Sequence, residues 1–407
     1  MHRILLLLPT RAYRALDFMQ AANALGVEVV VVAEQRHVIE NRAGDRIIEV
    51  HWRQPEIAAD AIVEFAQDNP VDAIVPADDQ GVIIAAMAAE QLHLRQNTPA
   101  AAARTRNKAA MRHALSAAGI PQPEYRVVKP GSNVGRVVGE VGWPCVLKPL
   151  SLAGGQGVIR ADDLRASLEA AARIRSILAS APEHGDEDLL VERFVPGHEV
   201  AVEGLLRNGK LDVLAIFDKP DPLDGPYFEE TIYVTPSRLP NTVQRLITHT
   251  TSNAVRALGL SQGPVHAELR VEGSCVHLLE IAARSIGGLC SRSLRFGLGI
   301  SLEQLILRHA LDLPIHDLTP SYAAAGVMML PTPHAGVLRE VRGLENARRV
   351  SGIVGAEITI APGNEVQPLP EIGRYLGFMF ARGNRPDEVE QALRSAHQLL
   401  EIVIETV

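Results

Sequence analysis

Aromatic residues are scarce in this chain, only 4% of 407 residues, and cysteines number three. A core made instead from Ala, Val, Leu and Ile suits helices packed on sheets and is an ordinary globular composition. Cys145, Cys275 and Cys290 are odd in number and lack Cys-x-x-Cys spacing, so neither a disulfide framework nor a zinc site is indicated and buried reduced thiols are expected. Basic charge is not in excess either. With 40 Lys and Arg against 48 Asp and Glu, the net charge of -8 gives no global field that favours nucleic acid. Long apolar runs are missing near the N-terminus, where the run at 4–8 stops at Pro9. It is too short for a secretory h-region or a membrane span, which predicts a buried first strand in a cytoplasmic protein with no membrane partner. The stretch that follows, Pro9-Thr10-Arg11-Ala12-Tyr13-Arg14, has no Gly-x-Gly-x-x-Gly, so no NAD or FAD fingerprint is present.

What is present is rhythm. At roughly 100–200 residues per domain, the length predicts two to four packed units. Over the first hundred residues, apolar runs at 4–8, 27–33, 47–50 and 73–76 alternate with helical patterns at 15–25 and 56–67. That alternation predicts βαβ units around a parallel sheet, a small Rossmann-like domain. A helix over 108–118 ends at Gly119 ahead of Pro121 and Pro123, a helix stop signal. A strand-rich module follows: a strand at 144–149, a glycine-rich turn, a helix over 164–178, a strand at 189–192, and a solvated loop at 182–188 between them. Further strands are predicted at 200–206, 211–217, 265–271 and 276–281, then at 325–330 and 356–360, with a last amphipathic helix over 387–400.

Three features carry chemistry. Ser151-Leu152-Ala153-Gly154-Gly155-Gln156-Gly157 follows the strand that holds Lys148, and three glycines in four positions let backbone N–H groups converge on an anion. The loop is not a P-loop, because no Gly-Lys-Ser/Thr ends it, and alone it also fits a plain surface turn. An ammonium at the end of an apolar strand must snorkel or meet an anion, which makes Lys148 a phosphate ligand. Next, alternation puts Glu199 and Glu203 on one strand face after the Pro196-Gly197 turn. Last, 265–271 and 276–281 read as a hairpin with Glu268 and Glu280 embedded among apolar residues. Two buried carboxylates raise at least one pKa unless cations neutralise them, and Mg²⁺ prefers one or two carboxylates with phosphate oxygens and water. Arg284 follows, with a planar fork suited to a phosphoryl group or a carboxylate, beside Gly287 and Gly288.

Taken in order, Lys108, Lys148 with the glycine loop, Glu192 to Glu203, Lys219, Glu268, Glu280 and Arg284 resemble the ATP-grasp carboxylate–amine ligases. Glu-Ile-Ala-Ala-Arg-Ser-Ile-Gly-Gly at 280–288 is similar to the L-amino-acid ligase, or dipeptide synthetase, branch, as is Gly-Phe-Met-Phe-Ala-Arg-Gly at 377–383. The resemblance implies a mixed α/β and α+β fold: a Rossmann-like domain over 1–100, an ATP-grasp domain over 101–320 with a lid over about 121–206, and a C-terminal α+β module over 321–407. It implies ATP as cosubstrate with Mg²⁺, for which Mn²⁺ can substitute, small-molecule carboxylate and amine substrates, and a homodimer. Lys108, Lys148, Ser151, Gly154, Gly155, Gln156 and Gly157 then serve the phosphates. Glu192, Phe194 and Val195 lie on the hinge beside the adenine, and Glu199 accepts from the ribose. Lys219 approaches the terminal phosphates, Glu268 and Glu280 hold the metal, and Arg284 meets an acyl phosphate. Glu203, His266, Tyr233, Gly287 and Gly288 fall toward substrate, as do Ser291 and Arg292. Many ATP-grasp enzymes carry Asn two residues after the second metal-binding Glu; Ala282 stands there, as in the L-amino-acid ligases. Another ATP-grasp reaction, of purine-pathway or biotin-carboxylase type, and a nucleotide-binding regulatory protein without chemistry are the alternatives.

Overall fold

The computed structural model describes residues 1–9, 13–34, 47–180 and 187–406. Residues 10–12 of the stretch after the first strand, and 182–186 of the predicted solvated loop, lie outside the described residues. Four parallel strands, β1 (Arg3–Leu7), β2 (Glu28–Ala33), β3 (Ile47–Glu49) and β4 (Ala73–Pro76), form the expected first sheet in the order β3-β2-β1-β4. Ile4 and Leu6 pack on the side of α1 (Ala15–Leu25), and Leu5 and Leu7 on the side of α2 (Pro55–Asp68) and α3 (Gly81–Gln91). Coverage of both faces is why the first strand is continuously apolar rather than alternating.

Two capped helices, α4 (Pro99–Arg106) and α5 (Lys108–Ala117), lead onward; the side chains of Thr98 and Asn107 accept from Ala101 N–H and Ala110 N–H at their first turns. An antiparallel sheet follows in the order β5-β8-β6-β7, built from β5 (Tyr125–Val128), β6 (Cys145–Pro149), β7 (Ile159–Ala161) and β8 (Leu189–Arg193). With α6 (Val134–Val141) and α7 (Leu164–Ser180) it encloses a core of its own around Val138, Leu147, Ile174 and Val191.

The central sheet has eight strands, β9 (His198–Arg207), β10 (Lys210–Asp218), β11 (Ile232–Thr235), β12 (Gly263–Glu272), β13 (Cys275–Ala282), β16 (Ala324–Leu330), β18 (Ile353–Ile358) and β20 (Gly377–Gly383). Their order is β13-β12-β9-β10-β11-β16-β20-β18. Between them lie the hairpin β14 (Arg295–Phe296) and β15 (Ile300–Ser301), and a small sheet in the order β19-β17-β21, of β17 (Gly336–Arg342), β19 (Glu365–Val366) and β21 (Glu401–Glu405). Helix α8 (Asn241–Leu258) covers one face of the central sheet, and α9 (Leu302–Ala310) joins the opposite face to the core it shares with β1 and α1. A capping box between Ser301 and Gln304 starts α9. Helix α10 (Leu344–Arg348) and α11 (Pro386–His397) complete the C-terminal core.

β9 pairs with β10 and β12 from His198 onward, within the central sheet. Two expectations need correction. The last helix stops at His397, because Glu401–Glu405 is claimed by β17 as a strand. Cys145 and Cys290 are buried free thiols as expected, but Cys275, at the start of β13, is only half-buried. In addition, β16, β18 and β20 join the same sheet as β9 to β13, so the C-terminal residues continue the central sheet.

Candidate active site

Two adjoining cavities lie where the lid sheet, the central sheet and the N-terminal sheet meet. The first, about 160 Å³, is walled by Lys148 from β6, Gly154 and Gly155 from the glycine loop, Glu192 from β8, Glu199 from β9, and Glu268, Glu280 and Arg284 from or just beyond the β12–β13 hairpin. The second, about 280 Å³, is lined by Tyr13, Arg14, Asp78, Asp79, Tyr233, Gly287, Gly288 and Tyr375. Ala153, Gly154, Glu230, His266, Glu268 and Arg284 border both.

Burial explains how the charges of the first cavity are arranged. Glu192 is held through both oxygens, by Arg112 Nε at 2.5 Å and by Lys148 Nζ at 2.6 Å. Burial alone pushes its carboxyl up, yet Arg112 and Lys148 outweigh that and hold it below the usual range. Lys148 is lowered by burial, with Glu192 opposing. Glu199 is likewise claimed twice, by Lys219 Nζ at 2.7 Å and by Arg270 Nε at 2.8 Å. Arg270 also stacks against Phe194 and Phe228, its guanidinium carbon 4.9 and 5.8 Å from their ring centres, and donates to the Val195 carbonyl at 2.7 Å. Phe194 and Phe228 are themselves stacked, with centroids 6.4 Å apart.

Glu268 and Glu280 face each other across the β12–β13 ladder. Their side chains are 26% and 35% exposed, enough to present oxygens to the cavity. Burial pushes Glu268 up, but Lys219 and His266 overcome it and hold the carboxyl well below its usual value. Glu280 has Lys108 Nζ at 3.5 Å, and Lys108 donates to the Leu152 carbonyl at 2.7 Å. Two cavity-facing carboxylates of this kind fit a hard divalent cation such as Mg²⁺. A different group, Glu199, Glu230 and Glu268, brings ligand atoms within 4.8 Å of one another. Lys219 already stands among those three carboxylates, at 3.4 Å from Glu268 and hydrogen-bonded to Glu199 and Glu230, so the Glu268–Glu280 pair is the better candidate.

Arg284 donates to Asp79 Oδ2 at 2.7 Å, and Arg106 lies 3.2 Å from the other Asp79 oxygen. Burial opposes the charge on Arg284, but Asp79 raises its pKa. Arg14 holds Glu303 at 2.7 Å and hydrogen-bonds Ser285 Oγ and the Ile286 carbonyl. Thus the Arg284–Asp79 ion pair and the hydrogen bonds of Arg14 clasp the loop after β13 to the residues that follow β1 and β4. His266 rests on Glu203 at 3.2 Å; burial works against its protonation, but Glu203 and Glu268 lift its pKa to about 9. Glu203 is fully buried and accepts from Ile286 N–H at 3.0 Å.

Most expected residues therefore converge, and several do so differently than expected. Lys219 is buried beneath Glu199, Glu230 and Glu268 and lines neither cavity, as do Lys108 and Glu203. Gln156 and Gly157 bond toward the C-terminal segment, through Gln156 Nε2 to the Glu371 carbonyl at 2.7 Å and Gly157 N–H to the Pro370 carbonyl at 2.9 Å. Ser151 accepts from Arg106 through its carbonyl at 3.3 Å. Ser291 is fully buried, and Arg292 is spent on Asp17 and Glu357; neither borders a cavity. Arg112, Arg270, Glu230, Phe228 and Asp79 were not foreseen. Arg112 sits four residues past Lys108 on α5, a helical repeat that offered the one local signal.

With this geometry in hand, the protein-family models are decisive. One for an ATP-grasp domain matches residues 141–293, one for an ATP-grasp N-terminal domain matches 19–94, and one for L-amino acid ligase C-terminal domain 2 matches 328–405. The chain carries an ATP-grasp domain with its N-terminal companion. Among ATP-grasp relatives, it is 28% identical over 276 residues to alanine–anticapsin ligase of Bacillus subtilis, covering 64% of this chain and 58% of that protein. It is 26% identical over 300 residues to dapdiamide A synthase of Enterobacter agglomerans, covering 71% and 69%. Its ATP-grasp fold superposes on the crystal structure of L-amino acid ligase from Bacillus licheniformis with a TM-score of 0.82 at 23% identity, over 100% of this chain and 99% of that one. The match to alanine–anticapsin ligase spans little more than half of that protein's length. Among the described residues, no helix of this ATP-grasp protein is long and apolar enough to cross a membrane.

Proposed function

We propose that this protein is an ATP- and Mg²⁺-dependent ligase that joins a small carboxylic acid, in our reading an amino acid, to an amine, releasing ADP and phosphate. The observation that carries the reading is that the two cavities meet at Glu268, His266 and Arg284, so a phosphate chain in one ends beside a small molecule in the other. The relatives' names, alanine–anticapsin ligase and dapdiamide A synthase, support an amino-acid-like substrate, and the C-terminal match favours this reaction over the purine-pathway and biotin-carboxylase types.

In this reading the Phe194–Phe228 stack and the aliphatic wall of Val146 and Leu279 take the adenine. Lys148 and the backbone of Gly154 and Gly155 face the phosphates. Mg²⁺, held by Glu268 and Glu280, supplies charge neutralisation at the phosphate oxygens. A carboxylate alone is unreactive toward amines because oxide is a poor leaving group. Transfer of the γ-phosphoryl to the acid gives an acyl phosphate, whose phosphate leaves when the amine attacks. Arg284, pinned by Asp79, keeps its fork at the seam between the cavities, where charge on the transferring oxygens is greatest. The glycine loop excludes water that would hydrolyse the intermediate. We divide the chain at about 100 and 320 into N-terminal, ATP-grasp and C-terminal parts, and take the protein to act in the cytoplasm as a homodimer. The test is a mass-spectrometric screen of paired amino acids and other small acids with Mg-ATP. Condensation products formed with equal ADP are expected; ADP release that no acid or amine stimulates would overturn the assignment.

A further inference from the structure

The glycine loop belongs to the lid sheet, yet its partners lie more than two hundred residues away. Besides the Gly157–Pro370 backbone bond and the Gln156 side-chain amide donating to the Glu371 carbonyl, Arg173 on α7 donates to Glu371 Oε1 at 2.8 Å and bonds the Tyr227 hydroxyl. Gly154 and Gly373 are in backbone contact: a Cβ on Gly373 would overlap the Gly154 carbonyl oxygen, and one on Gly155 would lie 3.0 Å from Leu369. Two members of this junction, Gly154 and Gly373, and Tyr375 just beyond it, line the second cavity, while Gly154 also lines the first. Tyr375 continues the chain of contacts by meeting Phe378 edge-on at 5.9 Å, and Phe378 meets Tyr13 at 5.4 Å.

We propose that residues 369–375 are a latch that holds the glycine loop closed, and that Glu371 and Arg173 are positioning residues which couple that closure to occupancy of the second cavity. A ligand in the second cavity touches both sides of the seam, Gly154 and Gly373, and so stabilises the closed arrangement; an empty cavity leaves the seam to its own hydrogen bonds. The consequence is that phosphoryl transfer is favoured once the acid is in place, and the loop is retained over the intermediate until the amine arrives. The C-terminal segment, which supplies no charged group to the first cavity, thereby governs how faithfully ATP cleavage is converted to product.

This latch rests on reading the first cavity as the ATP site, and the test separates the two. Hydrogen exchange at residues 153–157 is followed in the full chain with and without Mg-AMPPNP, and ADP formed per condensation product is counted in turnover. The Arg173–Glu371 pair is partly exposed, with side chains 43% and 33% accessible, so E371A should fold normally. Expected in E371A is a loss of nucleotide-induced protection of about two- to fivefold, the scale of an exposed ion pair, with a matching rise in ADP per product. E371D and the charge exchange R173E/E371R should recover both. G373A, which forces the two backbones apart, should lose about tenfold. E371A protected as well as wild type, with ADP and product still equal, would overturn the latch while leaving the nucleotide site standing. A wild-type loop indifferent to Mg-AMPPNP would remove the nucleotide site and the latch with it.

Discussion

The first cavity takes its lining from one continuous stretch, Pro123 to Arg284, on neighbouring strands of the lid and central sheets, whereas the second gathers Tyr13 and Asp79 from the N-terminal sheet, Gly287 from the loop after β13, and Tyr375 from the approach to β20. Their polar groups differ in the same way. In the first, Glu192 and Glu199 have both oxygens engaged by buried cations, so the wall is set before any ligand enters. In the second, the Tyr13 hydroxyl is buried with no hydrogen-bond partner among the described residues. The contrast teaches that the first wall is built on one continuous stretch of chain, while the second is assembled by docking of distant parts.

The largest effect should come in the first cavity. Glu280→Gln removes one cavity-facing carboxylate whose neighbour, Lys108, keeps its own carbonyl partner. ADP release should fall by roughly 10²–10³-fold, the scale of losing one charge-stabilising group, with thermal stability unchanged. Undiminished turnover would remove the metal-ligand assignment.

A second prediction concerns docking. His309 on α9 accepts from Gly263 N–H at 3.0 Å, and burial, with Arg95 and Arg207 adding to it, lowers its pKa to about 4. Because the unfolded chain binds this proton at about 6.5, stability should drop as pH falls from about 6.5 and level off below about 4. The loss is about 3 kcal/mol, and His309→Gln should flatten it in urea titrations. A slope that persists in the variant would place the sensitivity elsewhere.

The smallest effect belongs to Tyr13→Phe. Deleting a hydroxyl that a bound acid would satisfy should raise the KM for that acid about tenfold while leaving the KM for ATP and the melting temperature unmoved. Equal changes in both KM values would break the division into two cavities.

The same contrast governs what the sequence disclosed. Lys148, the glycine loop, Glu268, Glu280 and Arg284 lie within short motifs whose alternation or turn chemistry can be read locally, and all of them border the cavities. Their counter-charges could not be read that way: Arg112 meets Glu192 across 80 positions and Arg270 meets Glu199 across 71, so only folding brings them together. The carboxylates around Lys219 are equally non-local in part, since Glu199 and Glu268 reach it from β9 and β12. For elements, the alternation of 1–76 gave the parallel sheet, but α3, apolar on nearly every side, offered no helical period.

The central claim is that phosphoryl transfer passes from one cavity to the other onto a carboxylate. It is tested most directly by supplying the acid with ¹⁸O in its carboxyl group and examining the phosphate and nucleotide released during condensation. One labelled oxygen should appear in inorganic phosphate for each product formed, with ADP unlabelled; label in AMP, or phosphate free of label while product accumulates, would contradict it.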